Sequence, residues 1–318
     1  MSTQQPPTKK IKKIKIFSSE SLVNAIPVEI WRDVICTKLG YFDRSNVNAT
    51  CNEFNDTFEN YNQNFLKKHA IHVPQDAPTI EKAMELVAKL QLVPTEKDPL
   101  RIVLDEGVHE IVGNYKTLNV TCSHITFIGK GKDQTTIHGG FKVENQQNVK
   151  FEELTITNQS GDGLVCGCSK GSETKVDVLK CIVKECEGSG MFVGGGGVTV
   201  TATQCAFMEN MYDGVFCHST NTKVKLSDCT MHHNGEEGLD ACNDAVVDLH
   251  GTKTDIHSNK RYGIDAGNRA KVNIYLPSQH NTSHDNVGED RRQWGGGSIA
   301  NINADGTFTH VVADDEVD

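Results

Sequence analysis

The sequence predicts a mainly β protein: a right-handed parallel β-helix with a small helical segment ahead of it. Three observations carry that expectation. Cys181, Cys205 and Cys229 stand 24 and 24 residues apart, and each is followed nine residues later by a glycine, Gly190, Gly214 and Gly238. Leu154 with Gly163, and Thr254 with Gly263, keep the same offset, so the glycines run at steps of 27, 24, 24 and 25. Five and three positions ahead of the anchors stand Val149/Phe151, Val176/Val178, Val200/Ala202, Val224/Leu226 and Leu249/Gly251, the period-2 pattern of a strand with one buried face. A repeat of this length holding short strands and no helix has few physical solutions. If the turns stack at the spacing of neighbouring strands, about 4.8 Å, each residue lies on its counterpart one repeat later and like residues form ladders. Leucine-rich repeats share the period, but their L-x-x-L-x-L spacing is missing.

Taken in chain order, residues 1–17 form a basic tail holding Lys9, Lys10, Lys12, Lys13 and Lys15 without an acid, which reads as solvated chain. Residues 18–68 lack the glycine rhythm and read as short helices, with Pro27 at a helix start and Ile30, Val34, Ile35 and Leu39 on one face. The coil is expected over 69–310. Its helical cap spans 78–91, with Pro78 near the first turn and apolar residues at 80, 83, 84, 87 and 90. Such a helix would cover the open end of the coil, whose unpaired strand edges otherwise invite aggregation. The repeats are clearest over 145–275, where a second short strand follows each glycine: Leu164-Val165-Cys166, Met191-Phe192-Val193, Val215-Phe216-Cys217, Leu239-Asp240-Ala241 and Ile264-Asp265-Ala266. Asn210, Asn234 and Asn259 recur in the turns before the glycines, placed for an amide ladder. After Asn273 the pattern fades toward Trp294 and Gly295-Gly296-Gly297, read as an irregular terminal turn, and 311–318 form an acidic tail.

Composition fits this architecture. The 28 glycines are assigned to sharp corners, and the cysteine series to a reduced packing ladder inside a narrow coil. Reduced packing thiols favour an intracellular setting, cytoplasmic or nuclear. A formal charge of -10 argues against a specific nucleic-acid surface, and no apolar run approaches the roughly 20 residues a membrane span needs. Nothing in the pattern calls for a cofactor or a metal. Cys166-Gly-Cys168 lacks paired knuckles, and His232 and His233, as strand neighbours near Asp228, are expected on opposite faces as solvated turn histidines.

Residues 26–58 resemble an F-box, through Ile26-Pro27-x-Glu29-Ile30, Leu39, Asp43 and Cys51-Asn-Glu-Phe54. The stretch IHVPQDAPTIEKAMELV (71–87), followed by IVLDEGVHEI, resembles the opening of pectin-lyase-like β-helix proteins. The combination is similar to animal F-box-only proteins with β-helix repeats, and to proteins of large DNA viruses of eukaryotes. That resemblance implies a substrate-recognition subunit of a Skp/cullin/F-box ubiquitin ligase. Pro27, Ile30, Trp31, Val34 and Leu39 would contact the Skp-type adaptor of a cullin-RING ligase, and the coil would bind an unknown target protein without catalytic residues of its own. If the protein were viral, it would act inside the host cell.

The fold also hosts enzymes of polysaccharides, so chemistry must be sought on the outer face. In each strand after a repeat glycine the second residue should point outward, giving the column Val165, Phe192, Phe216, Asp240, Asp265. Phe192, Phe216, Asp240 and Asp265 are therefore the candidate substrate-binding stripe, an exposed ladder aromatic at one end and anionic at the other. In the alternative, a glycosidase or lyase, Asp240 and Asp265 fall one turn apart, near the separation of about 5–5.5 Å used by retaining glycosidases. An adjacent Asp-Asp and a Gly-His-Gly motif, as in polygalacturonases, are missing. A purely structural β-helix is the third class.

Overall fold

In the computed structural model, residues 70–171, 173–275, 282–303 and 305–310 are described. The F-box-like positions Pro27, Ile30, Trp31, Val34 and Leu39, and both charged tails, lie outside the described residues.

The described chain winds into a right-handed parallel β-helix of about eight turns with three sheets along its length. One turn runs through Thr174–Leu179 in sheet 1, Ile182–Lys184 in sheet 2 and Met191–Val193 in sheet 3, before Val198–Thr203 settles on Thr174–Leu179. Among the described residues sheet 1 has eleven strands and sheets 2 and 3 have eight each. Parallel pairing sets the ladders that the periodicity predicts: Val176 lies on Val200 and Val224, and Val178 on Ala202 and Leu226. At the next rung the register departs from the expected Leu249/Gly251. Val247 and Leu249 take the two positions, because the corner Gly251 to Lys253 holds two residues more than its counterpart at Asp228. Asp228 Oδ1 accepts from Lys253 N at 3.1 Å and ties that longer corner down.

Inward positions are almost wholly apolar, and a cluster of Phe127, Phe141 and Phe151, with ring centroids 4.9–5.4 Å apart, fills the early turns. Cys181, Cys205 and Cys229 form a buried column of free thiols. Each Sγ donates to a carbonyl of the turn before: Phe151 O at 3.5 Å, Val178 O at 3.4 Å and Ala202 O at 3.5 Å. Burial pushes the Cys181 thiol up to about 12, so it stays protonated and inert.

The repeat glycines do not act as flexible corners. The left-handed conformation is taken by polar residues instead: Lys180, Gln204 and Asp228 after sheet 1, and Glu185, Glu209, His233 and Ser258 after sheet 2. What a repeat glycine supplies is space. A Cβ on Gly214 would stand 2.6 Å from the carbonyl oxygen of Gly238 and 2.9 Å from Asn234 Nδ2.

At the N-terminal end, helix α1 (Ile80–Lys89) is capped by Thr79, whose Oγ1 accepts from Lys82 N at 3.3 Å. The helix therefore begins two residues after Pro78, not at it. Its buried face of Ile80, Ala83, Met84, Leu86 and Val87 adjoins Ile71–Val73, the edge strand of sheet 1. At the other end the expected irregular turn is instead another winding of the coil: Ser283–His284, Arg291–Trp294 and Ser298–Ile302 continue the three sheets. The pattern is hidden because polar residues take inward positions there: Ser283 lies on Ile256, Arg291 and Gln293 on Ile264 and Ala266, and Asn301 on Ile274. Phe308–His310 then pairs antiparallel with Ser298–Ile302, covering the last edge of sheet 1.

Candidate functional site

Sheet 3 carries the predicted column. In its strands Met191–Val193, Val215–His218, Leu239–Cys242, Ile264–Gly267 and Arg291–Trp294, the residues Phe192, Phe216, Asp240, Asp265 and Arg292 lie in register. Their neighbours Leu239 and Ala241, Ile264 and Ala266 are buried inside, so strand alternation turns the column outward. The rings of Phe192 and Phe216 are 5.6 Å apart, and His218 packs on both at 5.1 and 5.5 Å.

The anionic end differs from the exposed ladder expected. Asp265 is only 5% exposed, because Arg292 from the next turn lies over it, with Nη1 3.5 Å from Asp265 Oδ2. Arg292 in turn stacks on Tyr262, 4.8 Å from its ring centroid, beside Trp294. A C-terminal winding supplies this cover, and its residues do not follow the repeat that predicts an open ladder.

Two further carboxylates join the site. Asp213 and Glu237, each directly ahead of a repeat glycine, are 6% and 2% exposed. Asp213 Oδ1 accepts from Glu237 N at 3.2 Å, and its Oδ2 accepts from Ser189 Oγ at 3.2 Å. Arg261 lies 3.3 Å from Glu237 Oε1 and 3.5 Å from Glu236 Oε2. Aligning the repeats on the residue before each glycine gives Asp162, Ser189, Asp213, Glu237, Tyr262, a polar column that was legible in the sequence.

Crowding of these acids under partial cover changes their proton affinity. Burial, reinforced by Asp265 and Glu237, pushes Asp240 up to about 7. Burial also raises Asp213 and Glu237, and a hydrogen bond between the two further favours a shared proton. Asp265 is raised by burial as well, but Arg292 opposes the shift and favours its ionised form. Oxygens of Asp213, Glu236 and Glu237 come within 4.8 Å of one another, a spacing one hard cation could bridge, yet Arg261 already balances two of the three.

On sheet 2 the expectation for the paired histidines is corrected. His232 ends the strand Thr230–His232, whereas His233 lies past it in a left-handed corner, φ 58°, so strand alternation does not apply. The two rings meet rather than diverge, with Nδ1 atoms 2.8 Å apart.

A family model described as right handed beta helix region matches residues 108–230. No curated protein matches the chain. Solved structures of similar fold include the Agl-KA catalytic domain, at 14% identity and TM-score 0.50, covering 74% of this chain and 47% of that one. Pectate lyase Pel9A is similar at 14% identity and TM-score 0.46, covering 78% of each chain. So is the tailspike protein gp49 from Acinetobacter baumannii bacteriophage Fri1, a capsular polysaccharide depolymerase, at 13% identity, TM-score 0.42 and coverage of 74% and 47%. The chain thus spans about half the length of the first and third of these. At such identities the likeness shows the fold. The expectation of a receptor without catalytic residues is nonetheless corrected, since the fold is shared with a structure named as a catalytic domain and this chain holds a covered carboxylate cluster on its outer face.

Proposed function

We propose that the coil is a carbohydrate-active enzyme cleaving glycosidic bonds at the carboxylate cluster of sheet 3. The observation that supports this most is Asp240, whose affinity for a proton is raised to about 7 beside an Asp265 that Arg292 favours as an anion. Two acids with opposed preferences are what bond cleavage at a sugar requires: one gives a proton to the leaving oxygen, the other stabilises or attacks the developing oxocarbenium centre. Adjoining strands about 4.8 Å apart place the pair near the separation of a retaining pair. Asp240 is then the acid and Asp265 the nucleophile, reached when Arg292, 38% exposed at its side chain, swings onto the substrate. Phe192 and Phe216 offer flat apolar surface for the CH faces of neighbouring sugar rings. Reducing-end release from a panel of neutral and acidic polysaccharides tests the assignment. Asp240→Asn should lower kcat by about 10²–10⁴-fold, as loss of a general acid does. Unchanged turnover in that variant, or no polysaccharide cleaved by the wild type, would sink it.

A second reading rests on the F-box-like residues 26–58. Docking of a Skp-type adaptor through Pro27, Ile30, Trp31, Val34 and Leu39 would bring the coil to a cullin-RING ligase in the cytoplasm or nucleus, with Phe192, Phe216, Asp240 and Asp265 contacting a target protein. Co-purification with the adaptor should then be lost in Pro27→Ala/Ile30→Ala. A wild-type chain that fails to retain the adaptor removes this reading.

A further inference from the structure

We propose that a cleft at the corner between sheets 3 and 1 is a subsite for a neutral sugar, carried as a side branch of the polysaccharide that lies on the stripe. The branch rests on the reading of the coil as a carbohydrate-active enzyme; the sugar rests on the cleft alone. The cleft holds about 710 Å³ and is open to solvent, inside the range of about 300–1,000 Å³ for small-ligand sites. Local sequence makes this space. Successive windings turn the corner with residues 167–173, 194–197, 219–222 and 243–245. The second of these is Gly194-Gly195-Gly196-Gly197, a winding without side chains between neighbours that carry them. Side chains are excluded there. A Cβ on Gly195 would stand 2.5 Å from Ser169 O, one on Gly196 would stand 2.9 Å from Thr220 O, and both residues are left-handed, with φ of 95° and 79°. Backbone bonds hold the floor in place: Gly171 N donates to Gly195 O at 2.8 Å, and Gly197 N to Asn221 O at 3.2 Å.

The lining selects the ligand. Its charges balance, with Lys170 set against Glu173, and Asp244 held by Arg269, whose Nε and Nη2 each donate to a carboxylate oxygen at 2.8 Å. Neither an anion nor a cation is therefore favoured. The walls offer groups that both donate and accept: the amides of Asn221 and Asn243 and the hydroxyls of Ser219 and Thr220. Thr220 Oγ1 donates to Asp244 Oδ2 at 3.4 Å, and Ser219 Oγ lies 2.7 Å from His218 Nδ1, which orders both hydroxyls and leaves them lone pairs to offer. Neighbouring hydroxyls of a sugar ring, each a donor and an acceptor, match that alternation. His218 joins the cleft to the stripe, since it lines the one and packs on Phe192 and Phe216 of the other. Burial lowers its affinity for a proton, so the shared wall is a neutral ring. A main chain lying on the two phenylalanines can thus pass a branch over His218 into the cleft.

Galactose, arabinose, xylose, glucose and mannose, with galacturonate and glucosamine as charged controls, are titrated into the full chain and followed by saturation-transfer NMR and calorimetry. Thr220→Trp fills the cleft from an exposed position. Asn243→Gly removes an amide at a corner whose φ of 54° suits glycine. Circular dichroism reports whether each variant is folded. A neutral sugar should bind the wild type, with affinity at least about 10-fold weaker in both variants. Where the wild type cleaves a branched polysaccharide, KM should be lower than for the same polymer stripped of its side chains, and Thr220→Trp should abolish that difference. No neutral sugar bound, tighter binding of a charged control, or equal affinity in folded variants overturns the subsite. Equal KM for branched and stripped polymer overturns the branch. A chain that binds a neutral sugar in the cleft yet cleaves no polysaccharide keeps the sugar site and removes the enzymatic reading instead.

Discussion

The clearest single-residue effect in the coil is that of Asn234. Its Nδ2 donates to Phe207 O at 3.1 Å and to Asn259 Oδ1 at 2.9 Å, while its Oδ1 accepts from Asn210 N at 3.2 Å and Asn210 Nδ2 at 3.0 Å. Asn259 repeats the arrangement onto Asn286. An amide is the one short side chain that both donates and accepts in this geometry, so the ladder closes buried backbone groups that the turn leaves open. Asn234→Ala should destabilise by about 2–5 kcal/mol, since each orphaned buried group costs about 1–3 kcal/mol. A lower denaturant midpoint at unchanged slope checks this. The recurrence of Asn210, Asn234 and Asn259 was legible in the sequence, and so was the outward column Phe192, Phe216, Asp240, Asp265. The burial of Asp265 was not, because Arg292 covers it from a turn whose residues do not follow the repeat.

At the scale of elements, the turn is defined by contact between successive windings more than by backbone freedom. Gly214→Ala puts a methyl group 2.6 Å from the Gly238 carbonyl, inside a corner where both backbones are held by ladder bonds. It should cost at least about 1–3 kcal/mol, the range for overpacking. Because Gly214 has no left-handed strain to relieve, an alanine at exposed Gly171, φ 79° with open space around it, makes an informative contrast: loss there reflects backbone strain alone. For helix α1, removal of the Thr79 cap by Thr79→Ala should lower stability by about 1 kcal/mol. If thermal unfolding of Thr79→Ala matches wild type, the end of the coil does not depend on that helix for its stability.

For the whole molecule, the covered acids make stability depend on pH. Asp240 in the folded chain titrates near 7, against about 4 for a free carboxyl, and Asp213 and Glu237 are shifted in the same direction. Between those values the native state binds more protons than the unfolded one, so stability is greatest at the acid side and falls as pH rises from about 4 to 7. Thermal unfolding should show a midpoint that drops over this window, and Asp240→Asn should flatten the drop while raising the midpoint at pH 8. A parallel pH dependence in the variant would show that Asp240 is not among the groups responsible. The same measurement probes the site, since the acids that destabilise the fold are those poised to move a proton. Periodicity alone was enough to predict a parallel coil and its ladders, because each winding repeats the contacts of the last and so writes them into the chain at a spacing of about 24 residues. Left to the folded structure were the features that break translation along the coil. The corner at Gly251 slips the register by two residues, the left-handed residue His233 turns its ring onto His232, and the final winding brings Arg292 over Asp265, beside Tyr262 and Trp294. Such contacts depend on where side chains from different turns meet in space. No spacing along the chain records that.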